Sequence, residues 1–543
     1  RWENLLAQER RDATAEILLQ YLRGCRWFGG KAREVRSAEI VDVVPAPYDT
    51  SVAQLTLIKV SYAEGEPETY LLPLTFATGE GANLVTERSP YAVVARLRVV
   101  GREGEREGVL CDALADQAFC HGLLEAIAHR HPFRTDTSQV TPWPTRALRR
   151  ILGSSADLLE PSLLRGEQSN TSVLFADRLI LKVFRRVEEG VNPDLEIGRF
   201  LTEKASFPNV PPLAGAMEYR PSRRAQASTV GILHGYVPNQ GDAWRYTQDS
   251  LGRYFDRVLA HPEVGAPPIH EGSLLALSQE DLPTVAQETL GPYLASAELL
   301  GKRTAQLHMA LASDSSDPNF APEPFSALYQ RSLFQSMRSS TIQGWQLLRQ
   351  RLPALPEAVR EDAQNVLGMQ GAIIGRFLTF RQRRINAMRI RCHGDYHLGQ
   401  VLYTGADFVV IDFEGEPARP LSERRLKRSP LRDVAGMIRS FHYASQAALS
   451  SQGPMHIRPE DLPYLDYWAQ LWYLWISATF LRSYLAVMSE TDLLPTDLED
   501  LSVMLDAYLL DKAVYEVGYE LNNRPDWIGV PLRGILRLLE EET

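Results

Sequence analysis

Residues 391–400, together with the acid that ends a nearby apolar run, constrain this chain more than any other stretch. Asp395 follows a His-Gly pair, Gln400 comes five residues after it, and Asp412 directly follows the apolar run 408–411. Phosphoryl transfer needs one carboxylate to orient the attacking hydroxyl, and an amide and a second carboxylate to hold Mg²⁺ against the nucleotide phosphates. The spacing therefore predicts Asp395 as the catalytic acid/base and Gln400 and Asp412 as Mg²⁺ ligands.

The triplet His-Gly-Asp alone would be a weak signal, because Gly-Asp is common in ordinary turns. The amide that follows it, the β-branched run that ends in Asp-Phe-Glu-Gly, and a compatible upstream region together favour the catalytic interpretation. Glu414, two residues after Asp412, fits a further metal ligand and a solvated turn residue equally well.

Length and composition indicate a globular enzyme of several domains. The 543 residues predict two or three domains, and 44% hydrophobic with 23% charged residues is ordinary for such a protein. The formal net charge of −10 and the lack of a long basic tract argue against nucleic acid as a partner. The cysteines have no metal-type spacing and favour a reducing, cytoplasmic location. They are Cys25, Cys111, Cys120 and Cys392.

Neither a signal peptide nor a membrane span is predicted. The chain opens with Arg1 rather than Met, which predicts a trimmed chain or a piece of a longer one. The apolar stretch 468–481 is the strongest candidate for a membrane helix. However, Gln470 and Arg482 bracket only eleven uncharged residues, fewer than the roughly 20 that a bilayer core demands. The stretch is therefore predicted to be a buried helix.

A strand-rich upstream region supplies candidate nucleotide contacts. Residues 164–175 predict strand, polar turn and strand, and the turn offers backbone N–H groups and hydroxyls to phosphates, although it lacks the Gly-x-Gly-x-x-Gly pattern. The predicted contacts are Gly166, Ser169, Asn170, Thr171 and Ser172.

Residues 178–184 predict a third strand that contains Lys182. A lysine is costly to bury without a partner, so it either lies on a solvated face or meets a carboxylate and a phosphate. With the downstream acids present, we predict that Lys182 neutralises the α- and β-phosphates of ATP. Glu196, in the first turns of a helix that Asn192 caps, is predicted to fix its direction.

The apolar strand 230–237 is a candidate hinge for adenine. Its predicted nucleotide contacts, from position alone, are His234, Tyr236 and Val237. A plain edge strand explains the same residues equally well.

The pattern of apolar and breaker residues predicts three regions: an α+β cap over 1–88, an intermediate region with the ATP-binding strands over 89–240, and a helical lobe over 241–543. Residues 132–144 are rich in Pro and Thr and predict a linker. Gly29-Gly30-Lys31 predicts a turn with a surface lysine, since the complete phosphate-loop pattern is absent.

The last region predicts a series of helices around a broken insertion at 261–292, to which no function is assigned. His308 is predicted to be a hydrogen-bonded structural histidine. Asp433 is predicted to be the N-cap of a helix that begins at Val434. The predicted helices are 242–260, 294–312, 328–352 and 356–387.

Four stretches resemble bacterial maltokinases, especially those fused behind a trehalose synthase: 26–31, 391–416, 429–443 and 511–527. The similarity touches both ends of the chain. It implies an α+β, bilobal protein-kinase-like (aminoglycoside-phosphotransferase-like) fold, with an N-terminal α+β cap and a large helical C-terminal lobe. It also implies that ATP and Mg²⁺ convert maltose to maltose 1-phosphate for α-glucan synthesis, in association with trehalose synthase.

Carried over by motif, the resemblance implies that Asp395 is catalytic, that Lys182 and Glu196 pair, and that His393 and Asp433 support the catalytic loop. The superfamily usually has Asn where this chain has Gln400, which alters the reach of one metal ligand. The chain also has His-Gly at 234–235, where the resemblance would place Gln-Glu, and this weakens the adenine contacts.

Candidate sugar contacts follow helical spacing near the end of the chain. The four residues recur at i, i+3, i+4 and i+7 and would form one stripe beside Asp395. An amphipathic helix with one Lys-Glu pair explains the spacing equally well. The candidates are Lys512, Tyr515, Glu516 and Tyr519.

Two alternatives to a maltose kinase stay open. Because the phosphate-handling residues do not define the acceptor, it could be another sugar or an amino sugar such as glucosamine. The second alternative is a non-catalytic, kinase-like assembly module for trehalose synthase. The intact acids at 395 and 412 argue against it.

Overall fold

The computed structural model describes residues 1–101, 104–153, 159–164, 169–269, 272–417, 419–450, 453–454 and 457–540. The chain divides into two compact units. The first unit comprises Arg1–Thr202 and Pro211–Pro238, and the second comprises Glu203–Val210 and Asn239–Thr543.

The first unit is built mainly from antiparallel strands. Its strands are β1 (Val35–Tyr48), β2 (Ser51–Tyr62), β3 (Glu68–Thr78), β4 (Val93–Gly101), β5 (Gly104–Asp112), β6 (Phe133–Arg134), β7 (Gln139–Pro144), β8 (Pro161–Leu163), β9 (Asn170–Phe175), β10 (Leu179–Phe184), β11 (Arg186–Val187), β12 (Leu213–Arg220) and β13 (Ser228–Gly235). Its helices are α1 (Arg11–Gly24), α2 (Gly79–Arg88), α3 (Gln117–His129), α4 (Arg146–Leu152) and α5 (Pro193–Glu203).

These strands form two sheets. In the described residues, one sheet has the order β1-β2-β3-β5-β4, with β11 paired to β3, and the other has the order β6-β7-β12-β13-β10-β9-β8. The predicted boundary at residue 88 thus falls between two strands of one sheet. Because β13 lies between β12 and β10, the alternative that it is a plain edge strand is wrong.

The predicted linker 132–144 is wrong, because it contains β6 and β7 of the second sheet. Pro142 and Pro144 pair with β12 on one side, beyond the end of the short β6 on the other side. A proline lacks a backbone N–H but is tolerated where a strand needs no second ladder. The prolines therefore led to the prediction of a linker where a strand lies.

A single core joins the cap strands to the predicted nucleotide strands within the first unit. Val44 and Leu55 of the first sheet belong to the same buried cluster as Val173 and Leu181 of the second. Helix α3 contributes Phe119 to this cluster and supplies much of its apolar surface. The two sheets of this unit are consequently stabilised by one continuous apolar interior.

The second unit is mostly helical. Its helices are α6 (Ala243–Ala260), α7 (Leu274–Leu277), α8 (Thr284–Leu290), α9 (Tyr293–Leu311), α10 (Ala327–Arg351), α11 (Glu357–Gly368), α12 (Gln370–Gln382), α13 (Leu421–Arg424), α14 (Leu431–Ala448), α15 (Leu462–Met488), α16 (Leu498–Asn523) and α17 (Gly529–Glu540). Its strands are β14 (Glu323–Pro324), β15 (Met388–Arg389), β16 (Val401–Tyr403) and β17 (Phe408–Val410). The predicted helix 356–387 is in fact the pair α11 and α12, and the insertion 261–292 contains α7 and α8.

The apolar stretch 468–481 lies in α15 and is buried, as predicted. Trp468 and Trp472 are 1% and 0% exposed. Among the described residues, no helix combines the length and the apolarity that crossing a bilayer requires. Helix α9 packs against α15 at Gly301, where an added Cβ would overlap the backbone carbonyl oxygen of Phe480.

We expect Gly301→Ala to destabilise the second unit by about 1–3 kcal/mol, because a methyl group at this contact forces α9 and α15 apart. The matched control is Gly375→Ala in α12, where an added Cβ meets no other atom. That substitution should stabilise the unit by about 0.5–1 kcal/mol, since alanine is the better helix former. Urea unfolding followed by tryptophan fluorescence measures both. Equal effects of the two substitutions would contradict the close contact.

Candidate active site

The loop 391–400, here called the catalytic loop, is held by the buried carboxylate of Asp433. Its Oδ2 accepts a hydrogen bond from the His393 amide at 2.8 Å, and its Oδ1 accepts one from the Gly394 amide at 3.0 Å. The prediction that Asp433 is an N-cap is wrong, because α14 begins two residues earlier, at Leu431, after Pro430. Asp433 lies in the first turn, and its carboxylate is therefore free to bind another segment of backbone.

His308 completes this arrangement from α9. Its Nε2 donates to Asp433 Oδ2 at 3.1 Å, and its Nδ1 lies 2.9 Å from the Tyr484 hydroxyl of α15. Burial raises the pKa of Asp433, but the hydrogen bond from His308 and the electrostatic interactions with the His308 and His393 imidazoles outweigh burial and lower it. His308 is 0% exposed, which confirms the prediction of a structural histidine.

His393 connects the catalytic loop to the segment that carries Asp412. Its Nδ1 accepts a hydrogen bond from the Asp395 amide at 3.4 Å, so its Nε2 carries the proton. That Nε2 donates to the carbonyl oxygen of Ile411 at 2.9 Å. One imidazole thus holds the backbone on both sides of the site, next to Asp395 and next to Asp412.

The hairpin of β16 and β17 positions the predicted metal ligands. Val401 pairs with Val410, and the Ile411 amide donates to the Gln400 carbonyl oxygen at 3.0 Å, which extends the ladder by one residue. Gln400 is therefore opposite Ile411 and beside Asp412. The turn of the hairpin is closed from α9, because Arg303 donates to both carboxylate oxygens of Asp407 at 2.8 and 2.7 Å.

Asp412 has a left-handed backbone conformation with φ of 64°. This region is uncommon for residues other than glycine, and Asp and Asn adopt it more readily than most. One carboxylate oxygen of Asp412 lies within 4.8 Å of one of Glu414. Mg²⁺ prefers oxygen ligands and is usually held by one or two carboxylates together with substrate phosphates. The two carboxylates therefore fit this ion, and the ligand role of Gln400 stays a prediction.

A row of alternating charges lies next to Asp395. Lys512 Nζ is 3.9 Å from Asp395 Oδ1 and 3.9 Å from Glu416 Oε1. Glu416 is 5% exposed and also contacts Arg432, at 3.1 Å, and Arg419. Burial raises the pKa of Glu416, but the charges of Arg432, Lys512 and Arg419 lower it to about 2. The glutamate is therefore ionised and keeps the Lys512 ammonium beside Asp395.

The four predicted sugar contacts lie on two different sides of α16. Lys512 lies 5.0 Å from the Tyr515 ring centroid, and the Tyr515 and Tyr519 rings stack at 6.3 Å. Glu516 is instead buried, and its Oε2 accepts from Arg439 Nη2 at 2.7 Å and Nε at 2.9 Å. Glu516 thus lies in the helical core rather than beside Asp395. The alternative of a simple Lys512–Glu516 pair is also wrong, because each residue has another partner.

In the first unit, Lys182 lies on β10 and has a carboxylate partner. Its Nζ is 3.5 Å from Asp194 Oδ2, and the two side chains are 15% and 4% exposed. The solvated-face alternative is therefore wrong. Asn192 Oδ1 accepts from the Asp194 amide at 2.9 Å, consistent with the predicted cap of α5. Sequence analysis missed Asp194, although it stands in the same first turn as Glu196; the pair between Lys182 and Glu196 stays a prediction.

The predicted phosphate turn is shorter than expected, because Asn170, Thr171 and Ser172 belong to β9. Ser172 pairs with Lys182 in the ladder, so Ser172 and Asn170 share the face of Lys182. Thr171 points to the opposite face, where its hydroxyl accepts from Arg185. Ser169 immediately precedes the strand, and Gly166 lies outside the described residues.

The predicted hinge lies at the end of β13. His234 pairs with Ile180 and Leu213 inside the sheet, and the Tyr236 amide donates to the Arg178 carbonyl at 2.8 Å. That amide is therefore committed to the fold, and an adenine contact from Tyr236 would use its carbonyl oxygen or its side chain. The contact predicted for Val237 stays a prediction.

The chain is similar to a family of sugar kinases in its cap region and to several curated and solved kinases along most of its length. Residues 21–116 match the family model of the maltokinase N-terminal cap domain. The glucosamine kinase of Mycolicibacterium smegmatis is 25% identical over 473 residues, covering 86% of this chain and 97% of that protein. That of Streptacidiphilus jiangxiensis is 22% identical over 379 residues, with coverages of 69% and 72%. A solved structure, a glucosamine kinase in complex with glucosamine, ADP and inorganic phosphate, has a TM-score of 0.57 at 16% identity, covering 95% of this chain and 98% of its own.

The predicted fold is confirmed: the chain shares the fold of this solved glucosamine kinase, with a mixed α+β first unit and a large helical region. Sequence analysis missed Glu416 and Arg432 as neighbours of the catalytic loop, although both stand within the stretches that resemble bacterial maltokinases.

Glu416→Gln should destabilise the second unit by about 3 kcal/mol at pH 7, because the three cations lose their shared carboxylate. The pKa of Glu416 is lower in the folded state than in the unfolded chain. Its contribution to the free energy of unfolding is therefore present above the unfolded pKa of about 4.3 and is lost as the pH falls toward the folded value. Unfolding of the original chain and the variant, measured from pH 7 to pH 2, should show that the difference between their free energies of unfolding shrinks below pH 4.5.

The matched control is Glu423→Gln. Glu423 contacts Arg419 at 3.3 Å but is 46% exposed, so its loss should cost less than about 1 kcal/mol. If the loss of unfolding free energy in Glu416→Gln stayed constant across the pH range, the lowered pKa of Glu416 would be contradicted.

Proposed function

We propose that this chain transfers the γ-phosphoryl group of ATP to the anomeric hydroxyl of maltose and releases maltose 1-phosphate and ADP. The observation that carries the proposal is the placement of Asp395. Its loop is fixed by Asp433 and His393, and its carboxylate lies 3.9 Å from the Lys512 ammonium. A carboxylate that is held on a rigid loop and left partly exposed is suited to orient a hydroxyl.

In the proposed reaction, the acceptor hydroxyl oxygen attacks the γ-phosphorus while the bond to the β–γ bridging oxygen breaks, and the hydroxyl proton passes to Asp395. Gln400, Asp412 and Glu414 would hold Mg²⁺, which neutralises charge on the phosphates. Lys182, with its carboxylate partner Asp194 at 3.5 Å, is proposed to contact the α- and β-phosphates.

The neighbours of Asp395 favour a neutral acceptor. Lys512 supplies an ammonium at 3.9 Å from the Asp395 carboxylate, and Tyr515 and Tyr519 supply ring faces on the same side of α16. Aromatic faces with a few polar groups suit a sugar. A protonated amino sugar would place a second cation in this row of charges, whereas maltose would not. The match of the cap to the maltokinase cap domain also supports maltose.

Glucosamine is the second candidate acceptor. The relatives from Mycolicibacterium smegmatis and Streptacidiphilus jiangxiensis are both named glucosamine kinases. Their identities of 25% and 22% leave room for a change of acceptor, because the residues proposed to handle the phosphates do not define the acceptor. An association with trehalose synthase stays a prediction that accompanies the maltose proposal.

An acceptor panel tests the proposal. The purified chain with ATP and Mg²⁺ should release ADP with maltose, and kcat/KM for maltose should exceed that for glucosamine and glucose by at least about tenfold. Asp395→Asn should lower kcat by about 10²–10⁴-fold because proton transfer is lost. Glu361→Gln, which removes an exposed charge on α11, serves as the control and should retain activity. If only glucosamine supported turnover, the acceptor would be glucosamine rather than maltose. If Asp395→Asn left turnover unchanged, the result would favour the non-catalytic alternative.

Metal removal gives an independent prediction. Chelation with EDTA should abolish ADP release, and added Mg²⁺ should restore it. Asp412→Asn preserves the left-handed backbone but removes a charged ligand, so it should raise the Mg²⁺ concentration for half-maximal activity by about 10–100-fold. Gln400→Asn shortens a neutral ligand and should have a smaller effect. Asp412→Asn with an unchanged Mg²⁺ dependence would contradict the assignment of Asp412.

A further inference from the structure

The Arg-Trp-Phe-Gly-Gly-Lys stretch at 26–31 has no part in the proposed reaction, yet it borders a cavity of about 420 Å³ in the first unit. Arg26 and Trp27 line this cavity together with Arg185, and Tyr91 and Leu163 supply further apolar surface. The cavity is large enough for a small organic molecule.

Arg185 is the chemical centre of this cavity. Its side chain is 2% exposed, its Nη2 donates to Asp112 at 2.5 Å, and its Nε donates to the Thr171 hydroxyl at 2.8 Å. In the part of the chain that the structure describes, no group accepts a hydrogen bond from its buried Nη1. A buried N–H group without an acceptor costs free energy, and an acceptor that enters the cavity would remove this cost.

The charge of the lining favours an anion. Arg26 and Arg185 are cationic, and Asp112 is the acid among the lining residues, so the described lining carries one net positive charge. The Arg185 guanidinium also lies 4.7 Å from the Trp27 ring centroid, which presents a flat aromatic surface beside the donor. A hydrogen bond from a guanidinium to a carboxylate or phosphate is stronger than one to a neutral group.

Covalent or metal chemistry at this cavity is disfavoured. The thiol in the lining is Cys25, and burial together with the charge of Asp112 raises its pKa to about 11. A thiol in this state is neither a good nucleophile nor a good metal ligand at neutral pH. The cavity is therefore suited to reversible binding.

The described lining of this cavity includes neither Lys182 nor Ser172, although Asn170, at the start of β9, borders it. Arg185 bonds to Thr171, which lies on the opposite face of β9 from Ser172, the residue that pairs with Lys182. We propose that this cavity is a second ligand site, which binds a small organic anion with its carboxylate or phosphate on Arg185 and its flat apolar body against Trp27 and Tyr91. This site would be occupied together with nucleotide, not in competition with it.

Three probes test the proposal by isothermal titration calorimetry on the full chain: benzoate, phenyl phosphate and the neutral benzyl alcohol. At least one of the two anions should bind with one-to-one stoichiometry. Its affinity should exceed that of benzyl alcohol by about tenfold or more, because only an anion is attracted by the positive charge of the lining. The preferred anion identifies the headgroup. Binding should persist with a saturating non-hydrolysable ATP analogue and Mg²⁺. Loss of binding under that condition would place the anion in the nucleotide site and overturn the proposal.

Two charge-matched variants locate the site. Arg26→Ala removes an exposed cation from the lining and should weaken anion binding several-fold, whereas Arg23→Ala removes an exposed cation of α1 that does not line the cavity and should leave binding unchanged. Arg185→Lys keeps the charge but removes the Nη1 donor and should weaken binding by about tenfold or more. If that variant does not fold, a crystal soaked with the tighter anion decides the same point by showing whether the headgroup lies on Arg185.

Failure of both anions to bind, equal binding of benzyl alcohol, or equal effects of Arg23→Ala and Arg26→Ala would each overturn the proposal. Because the readout is binding to the first unit rather than turnover, none of these results bears on the proposed kinase activity.

Discussion

The chemistry of the second unit depends on one buried carboxylate. Asp433 binds two consecutive backbone amides of the catalytic loop, and His308 supplies a third hydrogen bond from another helix. A buried ionised group is tolerated only when it is fully hydrogen-bonded, and removing the carboxylate would leave three donors without an acceptor. Three helices and the loop thus share one electrostatic anchor. His393 in turn donates to the carbonyl oxygen of Ile411 and so positions the backbone next to Asp412.

The row of alternating charges beside Asp395 has a complementary role. Glu416 keeps its negative charge because three cations surround it. It therefore shares the Lys512 ammonium with Asp395. The distance of 3.9 Å between Lys512 Nζ and Asp395 Oδ1 is longer than a direct hydrogen bond. The oxygens of Asp395 can therefore accept a hydrogen bond from a hydroxyl. Asp433 fixes the loop that carries Asp395, and Lys512 supplies a positive charge beside it.

The prediction of Asp395 and Asp412 rested on local spacing, because phosphoryl transfer calls for these residue types at these distances along the chain. Their catalytic and metal-binding roles stay predictions, and the structure joins the backbone beside each of them through His393. Tertiary partners decided the rest. Helical spacing placed Lys512 and Glu516 on one stripe, but the buried Arg439 draws Glu516 into the core. Similarly, two acids stand in the first turn of α5, and only the packing against β10 places Asp194 beside Lys182.

The hairpin of β16 and β17 limits where this chain can gain or lose residues. Because the ladder brings Gln400 opposite Ile411, gaining or losing one residue between Tyr403 and Phe408 would shift the pairing and move Gln400 relative to Asp412. Arg303 fastens the same short turn through Asp407. Insertions and deletions during evolution should therefore be excluded from this turn and accommodated elsewhere, as in the segment that contains α7 and α8, where extra length alters no ladder.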